Sequence, residues 1–352
     1  MTAKRIVPVY LDHAATTPIL PVARDAVMAA LDTWANPSSP HADGRRARAA
    51  LEDARARVKA ALAWKGEVIF TSGASEAIAL AIGRAKADRV VAGATEHDSV
   101  LRHVPAEGRL PVDRLGHVEL DGAGFFGTLV AVQHVNSETG VIQPVGAIGR
   151  AIREQGGLWL CDCAQSAAKL PLPDADLIAI GGHKLGGPIG AGALLVRDLT
   201  MLRPSGGQEL GYRGGTENLP AIMGLAAALE APRNWLSEVE TLRARLDAAI
   251  LAMGGEVVAG DAARIATIAA YRMTGVSARA QLIRFDGAGI AVSAGSACSS
   301  GSLRASPVLT AMGWDEGAAG EVVRVSFGWP TLGRHVDSFV DQWRKIAQSG
   351  QL

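Results

Sequence analysis

Three cysteines in 352 residues, Cys161, Cys163 and Cys298, are too few and too odd a number for a disulfide framework. That scarcity points to a reducing, cytoplasmic setting. Net charge is also missing. Thirty-five Lys and Arg balance thirty-five Asp and Glu, so no long-range field recruits nucleic acid or an anionic membrane. No apolar run has the length of a membrane span, and the first residues lack the apolar core of a signal peptide. No phosphate-loop motif ending in Gly-Lys-Ser/Thr occurs, and the eight histidines are scattered without zincin spacing. Cys161-x-Cys163 has no second cysteine pair. In a strand the two share one face and pack into the core, so no metal site is expected. Gly122–Gly127 matches the dinucleotide pattern by letter, but it precedes a strand and opens no helix, so it reads as a loop.

What is present describes a globular chain with a large core: 48% hydrophobic residues and 41 glycines. The length allows two domains or one large α/β unit. Val9–Tyr10 opens a short strand that runs into a turn, and Pro21–Leu31 reads as a helix. Asn36–His41 is a proline-broken loop. From Gly44 to Leu62 the residues Ala47, Leu51, Ala54, Val58 and Leu62 share one helical face, with a solvated arginine face opposite. Strands are expected at Val68–Phe70, Arg89–Ala92, Thr128–Gln133, Leu158–Cys161, Leu177–Ile180 and Ala193–Val196, with helices such as Ser75–Arg84 and Pro144–Glu154 between them. This βα rhythm implies a mostly parallel sheet covered by helices on both faces. Past Pro232 the character changes. A long amphipathic helix, Asn234–Met253, shows capping-box spacing at Ser237 and Glu240. Strands near Ile265–Tyr271, Ile290–Ser293 and Val322–Phe327 follow, and a helix over Arg334–Ala347 closes the chain. The expected division is a large domain over 14–232 and a small one made of 1–13 and 233–352.

Ligands of such sheets bind beyond the carboxyl ends of the strands. There the chain places Thr71–Glu76, Thr95–His97, Asn136–Glu138, Asp162 with Gln165, and His183–Lys184. Polar residues at five successive strand ends would line one crevice. Lys184 sits among close-packed glycines, where desolvation favours the neutral amine that forms Schiff bases. On that stretch alone a surface-loop lysine reads the same. Thr71–Glu76 falls where a helix begins and its backbone amides suit a phosphate, although an ordinary helix cap has the same look. Asp162 ends a buried strand and needs a cationic or protonated-nitrogen partner. Schiff-base lysine, ring-nitrogen carboxylate and phosphate cradle together describe a pyridoxal phosphate site. Cys298, in Ala294–Ser302, lies among glycines and serines that predict an exposed, mobile loop, a setting for thiolate chemistry or for an incidental free thiol.

In order along the chain, Tyr10-Leu-Asp-x-Ala-Ala-Thr-Thr-Pro18, Asn36-Pro-Ser-Ser-x-His41, Phe70-Thr-Ser-Gly-Ala-x-Glu76, Thr95-Glu-His97, His183-Lys184, Arg213-x-Gly-Thr216 and Gly295-Ser-Ala-Cys-Ser-Ser300 resemble the cysteine desulfurases. These belong to the class V aminotransferase branch of fold-type I pyridoxal phosphate enzymes. The resemblance implies that Lys184 holds pyridoxal 5′-phosphate, Asp162 pairs with its ring nitrogen and Gln165 bonds its phenolic oxygen. It implies that His97 stacks on the ring and moves protons. Ala74, Ser75, Gly181 and His183 would hold the phosphate, joined by Thr216 from a second subunit of a homodimer. Arg324 would clamp the carboxylate of L-cysteine, near Asn136 and Ser137, and Cys298 would take the sulfur as a persulfide. An iron–sulfur scaffold or other sulfur acceptor would be the partner.

Three positions depart from the family pattern: Ser137 replaces an asparagine, Gly181 a serine and Trp329 an arginine. Two other readings stay open: an aminotransferase or a cysteine/selenocysteine lyase with an idle Cys298, and a weakly active sulfur-carrier or scaffold subunit.

Overall fold

The computed structural model describes residues 9–33, 35–120, 122, 124–295 and 306–349. Cys298 therefore lies outside the described residues. After β1 (Val9–Tyr10), the strands β2 (Glu67–Thr71), β3 (Arg89–Gly93), β4 (Arg109–Leu110), β5 (Thr128–Ala131), β6 (Leu158–Asp162), β7 (Leu177–Gly181) and β8 (Gly192–Val196) follow in order. The last seven form one sheet, ordered β2-β8-β7-β6-β5-β3-β4. β8 runs antiparallel to both neighbours, whereas the pairs from β7 across to β4 are parallel. The apolar runs explain the burial on both faces. Period-two alternation sends Phe70, Val130, Trp159, Ile178 and Leu195 into one core and Ile69, Leu129, Leu160, Leu177 and Leu194 into the other. Each fully buried side chain of this kind contributes roughly 1.5–3 kcal/mol.

Apart from the short edge strand β4, which is not among the expected strands, the strands of this sheet match the sequence expectation closely, with one shortening. The apolar run after Thr128 pairs only to Ala131. Beyond it, Val132 N and His134 N still donate to the Leu160 and Asp162 carbonyls on the β6 side, while on the β3 side Gln133 N turns to Glu96 Oε1 at 2.8 Å and its side-chain amide to the Thr95 carbonyl at 2.8 Å.

The helices are α1 (Pro21–Asp32), α2 (Ala42–Ala61), α3 (Ala74–Arg84), α4 (Asp98–Leu101), α5 (Val145–Glu154), α6 (Leu219–Glu230) and α7 (Trp235–Ala252). Sequence periodicity does not show α6. Leu219, Ala221, Ile222, Gly224, Leu225, Ala226, Ala228 and Leu229 are all buried, so its surroundings are apolar on nearly every side and it has no amphipathic stripe. It packs against α1 and α2. Gly224 makes the close approach possible, since a Cβ there would fall 2.5 Å from Val27 Cγ2. The capping box expected at Ser237 and Glu240 does not form. The helix already begins at Trp235, and Ser237 Oγ donates to the Asn234 carbonyl at 3.1 Å from within the first turn.

The C-terminal part builds a separate core. β9 (Glu256–Val257), β10 (Ile268–Arg272), β11 (Ile290–Ala291) and β12 (Val322–Ser326) contribute two small sheets, β12-β10-β9 and β1-β11. Helix 278–287 and the closing helix 333–349 cover them, and Phe285 stacks on Phe339 at 4.7 Å. The expected strand Ile290–Ser293 pairs over two residues only, after which Ser293 exchanges backbone hydrogen bonds with Arg324. The N-terminal segment belongs to this core too. Leu11 is fully buried in it, donating to the Ala291 carbonyl at 2.9 Å and accepting from Ser326 N at 2.8 Å. Among the described residues no helix is long and apolar enough to cross a membrane.

Gly224→Val tests the α1–α6 contact. Overpacking of this kind costs about 1–3 kcal/mol, so the urea midpoint of the variant should fall while its far-ultraviolet dichroism stays native.

Candidate active site

At the carboxyl ends of the parallel strands lies a cavity of about 430 Å³. Each strand delivers part of its wall. After β2 the chain turns into α3, whose N-cap, Gly73, offers no side-chain cap, so the first-turn amides at Ala74 and Ser75 are open to an anion. Close glycine packing permits this geometry, because a Cβ on Gly192 of β8 would lie 2.6 Å from Gly73 Cα. Gly181 is different. A Cβ there would sit 3.5 Å from Ala74 N, at ordinary contact distance, so the position could hold a small side chain facing the α3 amides.

After β3, His97 caps the short helix α4, its Nδ1 accepting from Ser99 N at 3.1 Å with Ser99 Oγ at 2.8 Å. This leaves Nε2 as the uncommitted nitrogen on a residue of the cavity wall. Burial, and then the neighbouring positive charge of Lys184, push the His97 pKa down, with Asp162 opposing in part. The imidazole is therefore held neutral. After β6, Asp162 Oδ1 accepts from Ala164 N at 2.8 Å. Gln165 donates from Nε2 to the Ala14 carbonyl at 2.9 Å. Its Oε1 is buried with no partner among the described residues. After β7 comes a single turn, Gly182–Lys184. It brings Lys184 and His183 to the wall, with His183 Nδ1 3.2 Å from Thr16 Oγ1. Burial and Lys184 lower the His183 pKa as well.

The structure thus gathers Ala74, Ser75, His97, Ser137, Asp162, Gln165, Gly181, His183 and Lys184 around one space. Three expected residues stand elsewhere. Asn136 is buried behind the wall, donating to the Thr95 carbonyl at 3.1 Å and accepting from Glu138 N and Thr139 N at 2.9 Å, so its side chain shapes the turn that presents Ser137. Arg324 is not among the residues that line the cavity. It donates from Nη1 to the Ser137 carbonyl at 3.0 Å and from Nη2 to Asp12 Oδ1 at 2.7 Å. Thr216 is exposed and outside the cavity of the single chain. Cys161 and Cys163 are buried in the sheet core with their sulfurs 3.7 Å apart, as the strand pattern implied.

Sequence reasoning gave no role to the turn Ala15–Thr16, which closes the near side of the cavity. Its docking bond, Thr17 N to the His183 carbonyl at 2.8 Å, joins positions far apart in the chain, and the only hint was the Thr-Thr-Pro motif itself. Glu96 was also unassigned. Its Oε1 accepts from Gln133 N at 2.8 Å while Oε2 is buried without a partner among the described residues. Burial raises its pKa well above the usual carboxylate range.

The comparisons agree with this architecture. The family model described as aminotransferase class-V matches residues 9–339. A cysteine desulfurase of Enterobacter agglomerans is 35% identical, over 96% of this chain and 92% of that protein. A solved NifS-like protein from Rickettsia africae is 28% identical with a TM-score of 0.87, covering 97% of this chain and 99% of its own. The structure titled SspA in complex with cysteine is 30% identical with a TM-score of 0.78, covering 90% and 98% of the two chains. The chain therefore belongs to the aminotransferase class-V family, and within it to the cysteine desulfurases. Its fold is that of the fold-type I pyridoxal phosphate enzymes.

The electrostatics of the wall can be tested without any ligand. In Lys184→Ala the His97 titration midpoint, followed by imidazole NMR, should move up from its wild-type value. It should stay below that of a solvated histidine, because burial remains the larger cause.

Proposed function

We propose that the protein converts L-cysteine to L-alanine with pyridoxal 5′-phosphate and carries the sulfur away as a persulfide on Cys298. The observation that carries this reading is the convergence of Lys184, Asp162, His97 and the uncapped start of α3 on one cavity. The residues present fit the cofactor. Lys184 would hold it covalently, Asp162 would face its ring nitrogen, and the unpartnered end of the Gln165 amide would meet its phenolic oxygen. The amides of Ala74 and Ser75, with His183, would cradle the phosphate. When bound, the cofactor supplies an electron sink for bonds broken at the substrate carbons.

The chain's own residues do the rest. Neutral His97, whose Nδ1 accepts from Ser99 N, carries its proton on Nε2, and would donate it into the cavity and take it back. Arg324 takes the substrate carboxylate, as a guanidinium fork suits. The Cys298 thiolate attacks the substrate sulfur. A sulfur–sulfur bond forms, the carbon–sulfur bond breaks, and its electron pair stays with the carbon, which gains a proton. Thiol plus cysteine thus gives persulfide plus alanine, with no outside oxidant. We assign the exposed Thr216 to the phosphate of a neighbouring subunit in a twofold homodimer. The persulfide then passes to an iron–sulfur scaffold or another sulfur acceptor in the cytoplasm.

Cys298→Ala should bind cysteine and release no sulfide, whereas Cys161→Ala and Cys163→Ala should stay active. After brief exposure to cysteine, mass spectrometry should find the added sulfur on Cys298. Sulfide release by Cys298→Ala at the wild-type rate would assign the protein to the aminotransferase or lyase reading.

Gly181→Ser should tighten cofactor binding. The serine hydroxyl would reach the phosphate cradle, and one hydrogen bond to a charged group is worth about 1.5–3 kcal/mol. Equilibrium dialysis of the apoprotein against cofactor measures the change.

A further inference from the structure

Arg324 is only 8% exposed, and its hydrogen bonds are unevenly spent. Nη1 donates to the Ser137 carbonyl and Nη2 to a single oxygen of Asp12. Nε is buried without a partner among the described residues. Nε–H and the Nη–H beside it point the same way and form a side-on fork that matches both oxygens of one carboxylate. Elsewhere in this protein that fork is filled in full: Arg57 holds Glu230 through Nε at 2.9 Å and Nη2 at 2.7 Å. At Arg324 it is half filled.

Asp12 cannot readily fill the other half. Its backbone is fixed, the carbonyl accepting from Ala15 N at 3.1 Å and from the Tyr10 hydroxyl at 3.1 Å, in a segment held between β11 and Ser326. The other acid near Arg324 is Glu138. It is half-buried, its pKa is raised by desolvation, and its Oε2 accepts from Ser306 Oγ at 2.5 Å. Asp12 is thus the one carboxylate paired with Arg324 among the described residues.

We propose that Asp12 is a resident carboxylate standing in the substrate's place on Arg324, and that the α-carboxylate of an amino acid displaces it to fill both positions of the fork. Asp12 then acts as a specificity-determining residue. A ligand without a carboxylate has no means of releasing Arg324, and one that has it gains the hydrogen bond that Asp12 leaves unmade. This rests on the reading of Arg324 as the substrate-carboxylate contact. The Asp12-bound fraction of Arg324 lowers the apparent affinity of every amino acid in proportion, since only the released fraction can bind.

Two probes separate the carboxylate from the rest of the ligand: L-alanine, and ethylamine, which is alanine without its carboxylate. In spectral titrations of the cofactor-loaded protein, Asp12→Asn should bind L-alanine about five- to tenfold more tightly than wild type. Ethylamine should bind both proteins within about twofold, because it makes no use of the fork. Unchanged or weaker L-alanine binding by Asp12→Asn overturns the proposal and makes Asp12 a support for Arg324. Arg324→Gln tests the underlying reading on its own: wild-type affinity for L-alanine there removes Arg324 from the carboxylate site, whatever Asp12 does. A measurement on the wild-type apoprotein needs no variant. Saturating propionate should shift the Arg324 Nε–H resonance into the hydrogen-bonded range, and an unmoved resonance at saturation counts against displacement.

Discussion

A buried ion pair between α2 and the loop after β8 holds the large sheet to the segment that carries Thr216. Arg55 meets both oxygens of Glu209, at 2.9 and 3.0 Å, and Glu209 also accepts from Phe70 N at 2.7 Å. Arg55 further donates to the Val68 carbonyl and lies over the Phe70 ring at 4.8 Å. Desolvating two charges is costly, and such pairs seldom add much net stability over an apolar contact. What they impose is geometry, because neither charge can be left alone in the interior. Here the pair fixes β2, the strand whose end opens into α3, to a loop whose Glu209 and Leu210 both adopt positive φ, 45° and 59°. Non-glycine residues hold such angles only where their surroundings over-determine them. The start of α3 and the loop at Glu209–Leu210, which leads on to Thr216, are therefore held in one frame.

The cavity beside that unit shares an electrostatic character. Burial lowers the pKa of His97 and His183 and raises those of Glu96 and Glu138. Both shifts favour neutral forms, so the low dielectric leaves few charges competing at the strand ends. Such an interior strengthens the charges that remain and penalises any that arrive unpaired. The same logic explains why Arg324 is not left bare: a guanidinium this deeply set takes Asp12 and the Ser137 carbonyl as partners.

Much of the fold was legible because the sheet strands are apolar runs buried on both faces, and their polar ends mark the crevice without any ligand. Lys184, Asp162, His97 and the start of α3 could be placed together on that ground alone. The remainder depended on tertiary packing. α6 has no stripe because it is enclosed on most sides, and the Ser237 spacing failed because the helix began earlier at Trp235. The run after Thr128 keeps its bonds to β6 through Val132 and His134 but parts from β3 where Gln133 N meets the Glu96 carboxylate. Asn136 looked like a wall residue and is a turn former. The pairing of Asp12 with Arg324 spans 312 positions, and nothing local in either stretch announces it.

That separation bears on how the protein is made. Thr16 and Thr17 of the near wall dock on His183, yet the stretch Tyr10 to Ala14 that leads into it is seated by Ile290–Ala291 and Ser326, near the other end of the chain. Ribosomes add about 5–20 residues per second, so the segment waits roughly 15–60 s after its own synthesis before its seat exists. The large sheet can assemble during that interval with Lys184, Asp162 and His97 already in register. The stretch Tyr10 to Ala14 gains its last backbone partner only when β12 emerges, so the near wall is the last part of the cavity to be fully held.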